Sequence, residues 1–351
     1  MLFPEIAKLV ANRVDLDFQT SKSLMGLIMD NQLSDEQIKE IILGLKTKGE
    51  AAAEVTGFVA AMLKRSSLIE VPEVCLDIVG TGGDQSGSVN LSTTAALVAA
   101  ATGIKVIKHG NRAASSKSGS ADVLEALGIK LNMNDIQIKE CADEVGIAFC
   151  FAPQFHPAMK NVAAVRKEIG LPTIFNILGP LANPAQPTSM VVGVADAACA
   201  ELMAKVLSER GCVGFMVHGD DGLDEITITT TSTIWQFGKN IFEKQVFDPT
   251  EFDIPFVKSE LLNGGDALQN AEKLIAALDP TQQNPTVVAI RNAVVLNAAA
   301  GILAHQIKVS AASQLATNAQ WQEAITAAAA VINSGAALEK LRNWQKFCAA
   351  S

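Results

Sequence analysis

The segment IVGTGGDQSGSVNLSTT at residues 78–94 combines small residues with hydrogen-bond donors in a way that suits a phosphate. Gly80, Gly82 and Gly83 remove side chains where a backbone must turn tightly and approach a ligand. NLST at 90–93 places amide and hydroxyl donors at the N-terminus of a predicted helix, which favours an anion. An ordinary strand-to-helix turn would explain one glycine, but not three within four positions. We therefore predict a phosphate-binding loop, whose spacing is neither that of the P-loop nor that of the dinucleotide fingerprint.

The segment KHGNRAASSKSGSAD at 108–122 follows the next predicted strand. Lys108, Arg112 and Lys117 supply positive charge, and the glycines and serines among them let backbone amides and hydroxyls surround a polyanion. A flexible solvated loop is the alternative. Because the carboxyl ends of neighbouring parallel strands meet at one sheet edge, we expect this loop and the glycine-rich loop to converge. Two such loops suit a ligand with two phosphoryl groups, such as a phosphate plus a pyrophosphate.

The segment HGDDGLDEI at 218–226 carries four acidic residues within six positions. Acids beside an anion site would repel the anion unless a divalent cation intervened, and Mg²⁺ characteristically joins one or two carboxylates to substrate phosphates. A solvated acidic turn that starts a hairpin is an equally good interpretation of this segment alone. No His/Cys cluster in the sequence indicates a transition metal.

Two further residues, His156 and Arg166, lie in the segment 151–184. His156 precedes Pro157 at a predicted helix start, and Arg166 follows on the same helix, where it could meet an anion or a carboxylate. By itself, Arg166 is more typical of a surface residue. His218 and His305 have no companions and are interpreted as structural.

The elements that must position these loops are of two kinds. Residues 1 to about 68 show apolar spacings of three and four only, which predicts a small all-helical layer in which Ser34 begins a helix with a capping box. After Pro72, short apolar runs alternate with helices, as in parallel βαβ units. Predicted strands lie at 74–79, 104–107, 129–131, 146–152, 189–194 and 213–218, with antiparallel hairpins within 224–247 and helices from about 264 to the end.

This pattern predicts an α/β fold with a small all-helical domain and a large domain, whose mostly parallel central sheet is flanked by helices and has an antiparallel edge. The helical domain is predicted to span 1–70 and to be completed by helices near 160–185. The large domain, predicted to bind the ligand with two phosphoryl groups, would comprise 71–159 and 186–351.

Composition limits the possible functions. The chain has 351 residues, 49% of them hydrophobic, and a formal net charge of −9, which argues against a protein that coats nucleic acid. The six cysteines form no CxxC pair, as is typical of a reduced, cytoplasmic protein. Neither a signal peptide nor a membrane span is expected, since Arg291, Asn292 and Asn297 interrupt the most apolar later stretch.

Taken together, these segments resemble the anthranilate phosphoribosyltransferase family, which catalyses the second step of tryptophan biosynthesis from chorismate. The resemblance covers nearly the whole chain. Its motifs are GTGGD at 80–84, NLST at 90–93, KHGNRAASSKSGSAD at 108–122, HPAMKNVAAVR at 156–166, TIFNILGPLANP at 173–184 and GLDE at 222–225.

The resemblance implies a pentosyltransferase that moves the phosphoribosyl group of phosphoribosyl pyrophosphate to the amine of anthranilate, with Mg²⁺ as cofactor and a homodimer as the assembly. The donor-binding positions that it implies are Gly80, Gly83, Asp84, Ser88, Asn90, Leu91, Ser92, Thr93, Lys108, His109, Gly110, Asn111, Arg112, Ala113, Ala114, Ser115, Ser116 and Ser120. The implied metal ligands are Ser92, Asp224 and Glu225. The implied anthranilate contacts are Gly80, Asn111 and Arg166, with His109 and Pro180 lining the approach.

Two features depart from the family pattern. Phe155 stands where a second histidine often precedes the PAM segment, and the chain has no Tyr. The rival functions are a pyrimidine nucleoside phosphorylase and a non-catalytic nucleic-acid-binding paralogue. The phosphorylase has less need of the acidic GLDE segment, and the net charge of −9 argues against the paralogue.

Overall fold

The computed structural model describes residues 2–71, 74–113, 116–239 and 241–350. The strands are β1 Leu76–Gly80, β2 Val106–Gly110, β3 Ile147–Phe151, β4 Ser189–Gly193, β5 Val213–Gly219, β6 Ser232–Gly238 and β7 Ile241–Phe247. The helices are α1 Phe3–Ala11, α2 Phe18–Met29, α3 Asp35–Lys48, α4 Ala52–Lys64, α5 Leu91–Ala101, α6 Ser120–Ala126, α7 Asp135–Glu144, α8 Ala152–Phe155, α9 Ala163–Ile169, α10 Ile174–Leu181, α11 Ala200–Glu209, α12 Ala267–Leu278, α13 Pro285–Ser310, α14 Asn318–Asn333 and α15 Ala336–Ala350. Short 3₁₀ turns lie at Pro157–Val162, Ala197–Cys199, Pro249–Phe252 and Ser259–Leu262.

The chain divides into two compact units, a helical unit of Met1–Leu68 and Ala152–Pro184 and an α/β unit of Ile69–Phe151 and Ala185–Ser351. The sequence-based division placed 152–159 in the large domain, whereas the structure groups these residues with the helices. The boundary lies earlier than predicted because β3 ends at Phe151 and α8 begins at the next residue.

The helical unit packs through the apolar stripes expected from the sequence. Its core includes Ile6, Leu24, Ile41 and Phe58, all at most 1% exposed. A side chain at Gly57 would lie 2.7 Å from the Phe18 carbonyl oxygen, so glycine there allows α2 and α4 to pack closely. The predicted capping box is confirmed at the start of α3. The Gln37 N–H donates to Ser34 Oγ at 3.3 Å, and the Ser34 N–H donates to Gln37 Oε1 at 3.0 Å.

The α/β unit is built on one seven-stranded sheet in the order β3-β2-β1-β4-β5-β6-β7. Strands β3 to β5 pair in parallel, while β6 and β7 continue the sheet antiparallel. The predicted fold class is therefore confirmed. The chain adds β2 and β3 on one side of β1 and then β4 on the other, so the strand order reverses between β1 and β4. The carboxyl end of such a switch point is where open α/β sheets bind ligands.

One local strand prediction is wrong, and the antiparallel hairpin predicted within 224–247 is confirmed over a shorter range. Residues 129–131 form no strand, although Ile129 and Leu131 are buried, because this short apolar run packs as a loop after α6. Residues 224–230 are irregular too, and the antiparallel hairpin begins only at Ser232. The β-branched residues of that segment are buried by packing rather than by strand pairing, as Ile226 and Ile228 are both 0% exposed.

Within the described residues, one helix, α13, is long and apolar enough to cross a membrane. Its most apolar window has a mean hydropathy of 1.8, and 83% of that window is buried inside the protein. A side chain at Gly301 of this helix would lie 2.7 Å from Ile78 Cδ1, so α13 packs directly on β1. The helix therefore occupies the place of a core helix of the α/β unit.

Candidate active site

The glycine-rich loop after β1 has a backbone that few residues other than glycine adopt. Gly82, Gly83 and Gly87 have φ angles of 68°, 82° and 64°. The end of the loop is held by the segment before α12. The Val89 N–H donates to the Leu262 carbonyl at 3.0 Å, and the Gly264 N–H donates to the Gly87 carbonyl at 2.7 Å. The loop is thus a fixed turn that exposes backbone at the carboxyl edge of the sheet.

Asp224 and Glu225 pack directly against this loop. Asp224 Oδ2 accepts the Gly82 N–H at 2.7 Å, and Glu225 Oε1 accepts the Ser92 N–H at the start of α5 at 3.1 Å. Both acids are 9% exposed. The Gly82 and Ser92 N–H groups belong to the segment that was predicted to bind phosphate. In this structure they donate to carboxylate oxygens instead.

Gly80 and Gly193, register partners at the ends of β1 and β4, make room for the acidic turn. A β-carbon at Gly193 would lie 1.6 Å from the Asp224 carbonyl oxygen, and one at Gly80 would lie 2.3 Å from Asp224 Oδ2. Neither approach is possible for a side chain. Gly80 was predicted from its motif, but Gly193 was missed, and only its position at a strand end could have indicated it.

The other two acids of the segment have different partners. Asp221 Oδ2 accepts the Thr227 hydroxyl at 2.8 Å and also that of Thr229. Asp220 accepts the hydroxyl of Thr233 at 3.1 Å and also that of Thr231. The acidic cluster predicted from sequence therefore separates into a pair that closes its own turn and a pair that faces the glycine loop.

Lys108 is the basic side chain that reaches the glycine loop. It lies at the end of β2, is 2% exposed, and its Nζ donates to the Ile78 carbonyl and to Ser92 Oγ, the latter at 3.2 Å. Burial lowers the pKa of Lys108, while the charges of Asp77, Glu225 and Asp224 oppose that shift. A buried ammonium beside two carboxylates can bridge them to an anionic ligand.

Arg112, by contrast, is engaged within its own loop. Its guanidinium donates to both oxygens of Glu125, at 2.8 and 3.0 Å, and to Asp122 at 3.0 Å. The other oxygen of Asp122 accepts the N–H groups of Ala113 and Gly119, both at 2.9 Å, and so joins the two ends of the serine-rich loop. The charge of Arg112 thus stabilises the loop that holds it. The predicted positions Ala114 and Ser115 lie outside the described residues.

Asn90 and Thr93 join the two loops, as expected from the neighbouring strand ends. Asn90 Nδ2 donates to the Ser118 carbonyl at 3.2 Å, and the Thr93 hydroxyl donates to Ser120 Oγ at 3.1 Å. Asn270 on α12, which the sequence analysis missed, holds Asn90 in turn. Its Nδ2 donates to Asn90 Oδ1 at 2.8 Å, and its Oδ1 accepts the Gly265 N–H at 2.7 Å. The signal that could have found it is a buried amide on the apolar face of a helix.

The remaining predicted donor positions lie in the same two segments, 78–94 and 108–122. Leu91 and His109 are buried, and the His109 N–H donates to Asp77 Oδ2 at 3.4 Å. Asp84 Oδ1 accepts the Ser86 N–H at 3.3 Å, and Ser88 forms an isolated antiparallel β-bridge with Asn263. The positions with glycine or an exposed side chain are Gly110, Asn111 and Ser116.

The acidic pair fits a hard divalent cation. Burial, the charge of Asp84 and the charge between the pair raise the pKa values of Asp224 and Glu225, so a cation there would relieve a real electrostatic cost. Carboxylates and the nearby Ser92 hydroxyl are oxygen donors of the kind that Mg²⁺ prefers. Within the described ranges no group of three or more His, Cys, Asp or Glu residues forms a complete cage. Mg²⁺ usually takes one or two carboxylates together with substrate phosphates, and Asp224 and Glu225 supply two.

The residues assigned to the acceptor lie in both units. In the helical unit, Arg166 on α9 stacks over the Phe175 ring with its guanidinium carbon 5.8 Å from the ring centre, and burial lowers its pKa. Pro180 is buried within α10. His156 begins the 3₁₀ turn before α9, and its Nε2 is 2.8 Å from the Ala182 carbonyl, which gives it a structural contact. In the α/β unit, the exposed Asn111 accepts the Ala121 N–H with its carbonyl at 3.1 Å.

Comparison with known proteins identifies the class. Residues 4–66 match the helical bundle domain of the glycosyl transferase family, and residues 73–338 match the a/b domain of that family. The helical unit and the α/β unit with its glycine-rich switch point therefore define a glycosyltransferase of this two-domain class.

The relatives specify the member. The chain is 45% identical over 330 residues to an anthranilate phosphoribosyltransferase of Streptomyces griseus, covering 94% of this chain and 90% of the relative. It superimposes on the enzyme of that name from Thermus thermophilus with a TM-score of 0.88 and 35% identity, over 97% of this chain and 98% of the other. A Saccharomyces cerevisiae anthranilate phosphoribosyltransferase in complex with PRPP and Mg gives 0.87 and 27%, over 99% and 98%. The chain belongs to the anthranilate phosphoribosyltransferase family, which confirms the resemblance of the motifs.

Proposed function

We propose that the chain transfers the 5-phosphoribosyl group of phosphoribosyl pyrophosphate to the amine of anthranilate. The products are N-(5-phosphoribosyl)anthranilate and pyrophosphate. The observation that carries this proposal is the meeting of three segments at one sheet edge. There the Gly82 N–H and the Ser92 N–H bind the Asp224–Glu225 pair, and Lys108 Nζ reaches Ser92 Oγ.

The two joined loops supply the donor site. The glycine-rich loop presents backbone without side chains, and Asn90 and Thr93 fix the serine-rich loop beside it. A donor with a phosphate at one end and a pyrophosphate at the other matches two such loops. The described donor positions implied by the resemblance lie at the ends of β1 and β2, on the loops that follow these strands, and on the first turns of α5 and α6.

Asp224, Glu225 and Ser92 would hold Mg²⁺ with the pyrophosphate. Bound there, the ion would offset the negative charge that develops on the departing pyrophosphate. Lys108 places its amino group on the same side, and its burial keeps water from screening an interaction of that group with an anion. The chain thus favours departure of the leaving group by preorganised electrostatics.

The acceptor needs orientation more than activation. An aromatic amine is already a nucleophile, so a general base is not required and positioning provides much of the rate. In this proposal the guanidinium of Arg166 pairs with the anthranilate carboxylate, a planar match. As the family resemblance implies, Gly80 and Asn111 would also contact anthranilate, and His109 and Pro180 would line its approach.

A fluorescence assay tests the function directly. Anthranilate fluorescence should fall only when phosphoribosyl pyrophosphate and Mg²⁺ are both present, and chelation of the metal should stop the reaction. Consumption of a pyrimidine nucleoside with inorganic phosphate, without any loss of anthranilate, would instead indicate a phosphorylase. No reaction in either assay would refute the proposal.

We also infer a homodimer from the family resemblance. Multi-angle light scattering should give twice the chain mass of 36.9 kDa, and a monomer would contradict the inference. A cytoplasmic location stays a prediction, and the six cysteines, all of them free thiols, support it.

A further inference from the structure

Asn297 is a buried amide in an otherwise apolar setting. It is 0% exposed and lies midway along α13, where every other buried residue is apolar or glycine. A leucine or alanine would suit such a helix better, because burying an amide costs free energy unless its hydrogen bonds are made. The sequence alone shows this residue only as an interruption of an apolar stretch.

The Asn297 carboxamide makes three hydrogen bonds, two of them to one residue. Its Oδ1 accepts the Ile226 N–H at 2.9 Å, and its Nδ2 donates to the Ile226 carbonyl at 2.9 Å and to the Ala293 carbonyl at 2.9 Å. The side chain thus pairs with Ile226 as a neighbouring β-strand would. Residues 224–230 form no strand themselves, so the amide replaces ladder bonds that this segment lacks.

Ile226 directly follows Glu225. The Ile226 N–H and the Glu225 carbonyl belong to one planar peptide, so the bond from Ile226 to Asn297 fixes the orientation of that peptide. On the other side, the Asp224 carbonyl is confined by Gly193. The peptide after Glu225 is therefore fixed by Asn297, and the peptide between Asp224 and Glu225 packs closely against Gly193.

Helix α13, which carries Asn297, packs directly on the sheet. Gly301, one turn beyond Asn297, allows α13 to pack on Ile78 of β1, the strand that leads into the glycine-rich loop. The acidic pair and the glycine-rich loop are therefore both positioned by α13 and β1. Ligands held by a fixed supporting shell lose little freedom on binding.

We propose that Asn297 is a positioning residue for the divalent cation and the pyrophosphate, acting through the Ile226 backbone on the carboxylates of Asp224 and Glu225. This inference rests on the proposed function. It assigns a role to a residue outside every motif, which touches neither substrate nor metal itself.

The variant Asn297→Leu removes the amide without leaving a large cavity. Leu207→Ala is the matched control, since Leu207 is also 0% exposed but lies in α11, the helix that precedes β5, whereas the acidic turn follows that strand. Calorimetric titration with Mg²⁺ plus phosphoribosyl pyrophosphate should show binding weakened about 10- to 100-fold in Asn297→Leu, the usual effect of losing a supporting contact to a metal ligand. Leu207→Ala should lower the melting temperature yet bind as the wild type does.

Equal affinity in a folded Asn297→Leu protein and in the wild type would overturn the inference. If the variant does not fold, hydrogen exchange of the ligand-free wild type decides. The Ile226 amide should be strongly protected before any ligand is added, and exchange at the rate of an exposed loop would refute prior positioning. A wild type that binds neither Mg²⁺ nor the donor would instead count against the proposed function.

Discussion

Two acidic pairs lie within six positions of one segment, and the fold uses them in opposite ways. Asp220 and Asp221 accept threonine hydroxyls from their own turn, whereas Asp224 and Glu225 accept backbone N–H groups from the glycine loop and from α5. Threonine hydroxyls from residues 227–233 thus satisfy the first pair by hydrogen bonding. The second pair lies buried beside Lys108, and burial together with the neighbouring carboxylates raises the pKa values of both acids.

The difference teaches that partners, rather than residue type, decide which acids are available to a ligand. The same holds for two basic residues of the second segment, Lys108 and Arg112. Arg112 is held by Asp122 and Glu125, while Lys108 lies buried against Ser92. In each case the residue that contacts the glycine loop or the start of α5 faces the candidate site, and the other stabilises its own segment.

Replacing both members of one acidic pair should separate the two roles most clearly. Asp224→Asn with Glu225→Gln keeps the shape of the turn but removes two charges, and we expect Mg²⁺-dependent turnover to fall by about 100- to 1,000-fold or more. The control, Asp220→Asn with Asp221→Asn, should keep most activity and lose only stability. Steady-state rates over a range of Mg²⁺ concentrations, with melting temperatures, provide the measurement. Full activity of the first double variant would reject the metal assignment.

A single methyl group should displace the functional pair. Gly193→Ala would bring a β-carbon to 1.6 Å from the Asp224 carbonyl, so the acidic turn must move away from the glycine loop. We expect a loss of donor affinity on the order of 10- to 100-fold, comparable to the loss of a supporting contact at a metal site. Gly211→Ala is the control, because its φ of 79° imposes backbone strain with no atom within 4 Å of the new methyl group. Similar donor affinities in the two variants would show that the collision is not what matters.

Arg166 is a basic residue of the helical unit that can be compared with Arg112, whose guanidinium is paired with acidic residues. It has an aromatic ring as its neighbour in Phe175, and burial lowers its pKa. Arg166→Ala should remove a charged hydrogen-bond partner of the acceptor, worth about 1.5–3 kcal/mol, and so raise the KM for anthranilate by roughly 10- to 100-fold. The KM for phosphoribosyl pyrophosphate should change far less. Equal rises in both KM values would contradict an acceptor role.

Much of this fold could be predicted from local patterns, since apolar spacing identifies the helical layer and short apolar runs identify the parallel strands. The failures have a common cause, which is that tertiary partners are invisible in a sequence. The run at 129–131 has the composition of a strand but no neighbouring strand to pair with. Likewise, nothing in HGDDGLDE distinguishes the acids that meet threonines from those that meet the glycine loop. Asn297 shows the same limit, because its importance arises only from the position of Ile226.

The smallest expected effect concerns the bridge between the two loops. Asn270 holds Asn90, which in turn reaches the Ser118 carbonyl, so Asn270→Ala should loosen the serine-rich loop without removing any group that contacts the donor. Since a neutral hydrogen bond contributes about 0.5–1.5 kcal/mol, we expect the KM for phosphoribosyl pyrophosphate to rise roughly 2- to 10-fold while the KM for anthranilate stays constant. Ala271→Gly, at the next position of the same helix, controls for weakening of α12 itself. A rise of the same size in that control would show that the helix, rather than the Asn270–Asn90 contact, sets the geometry of the donor loops.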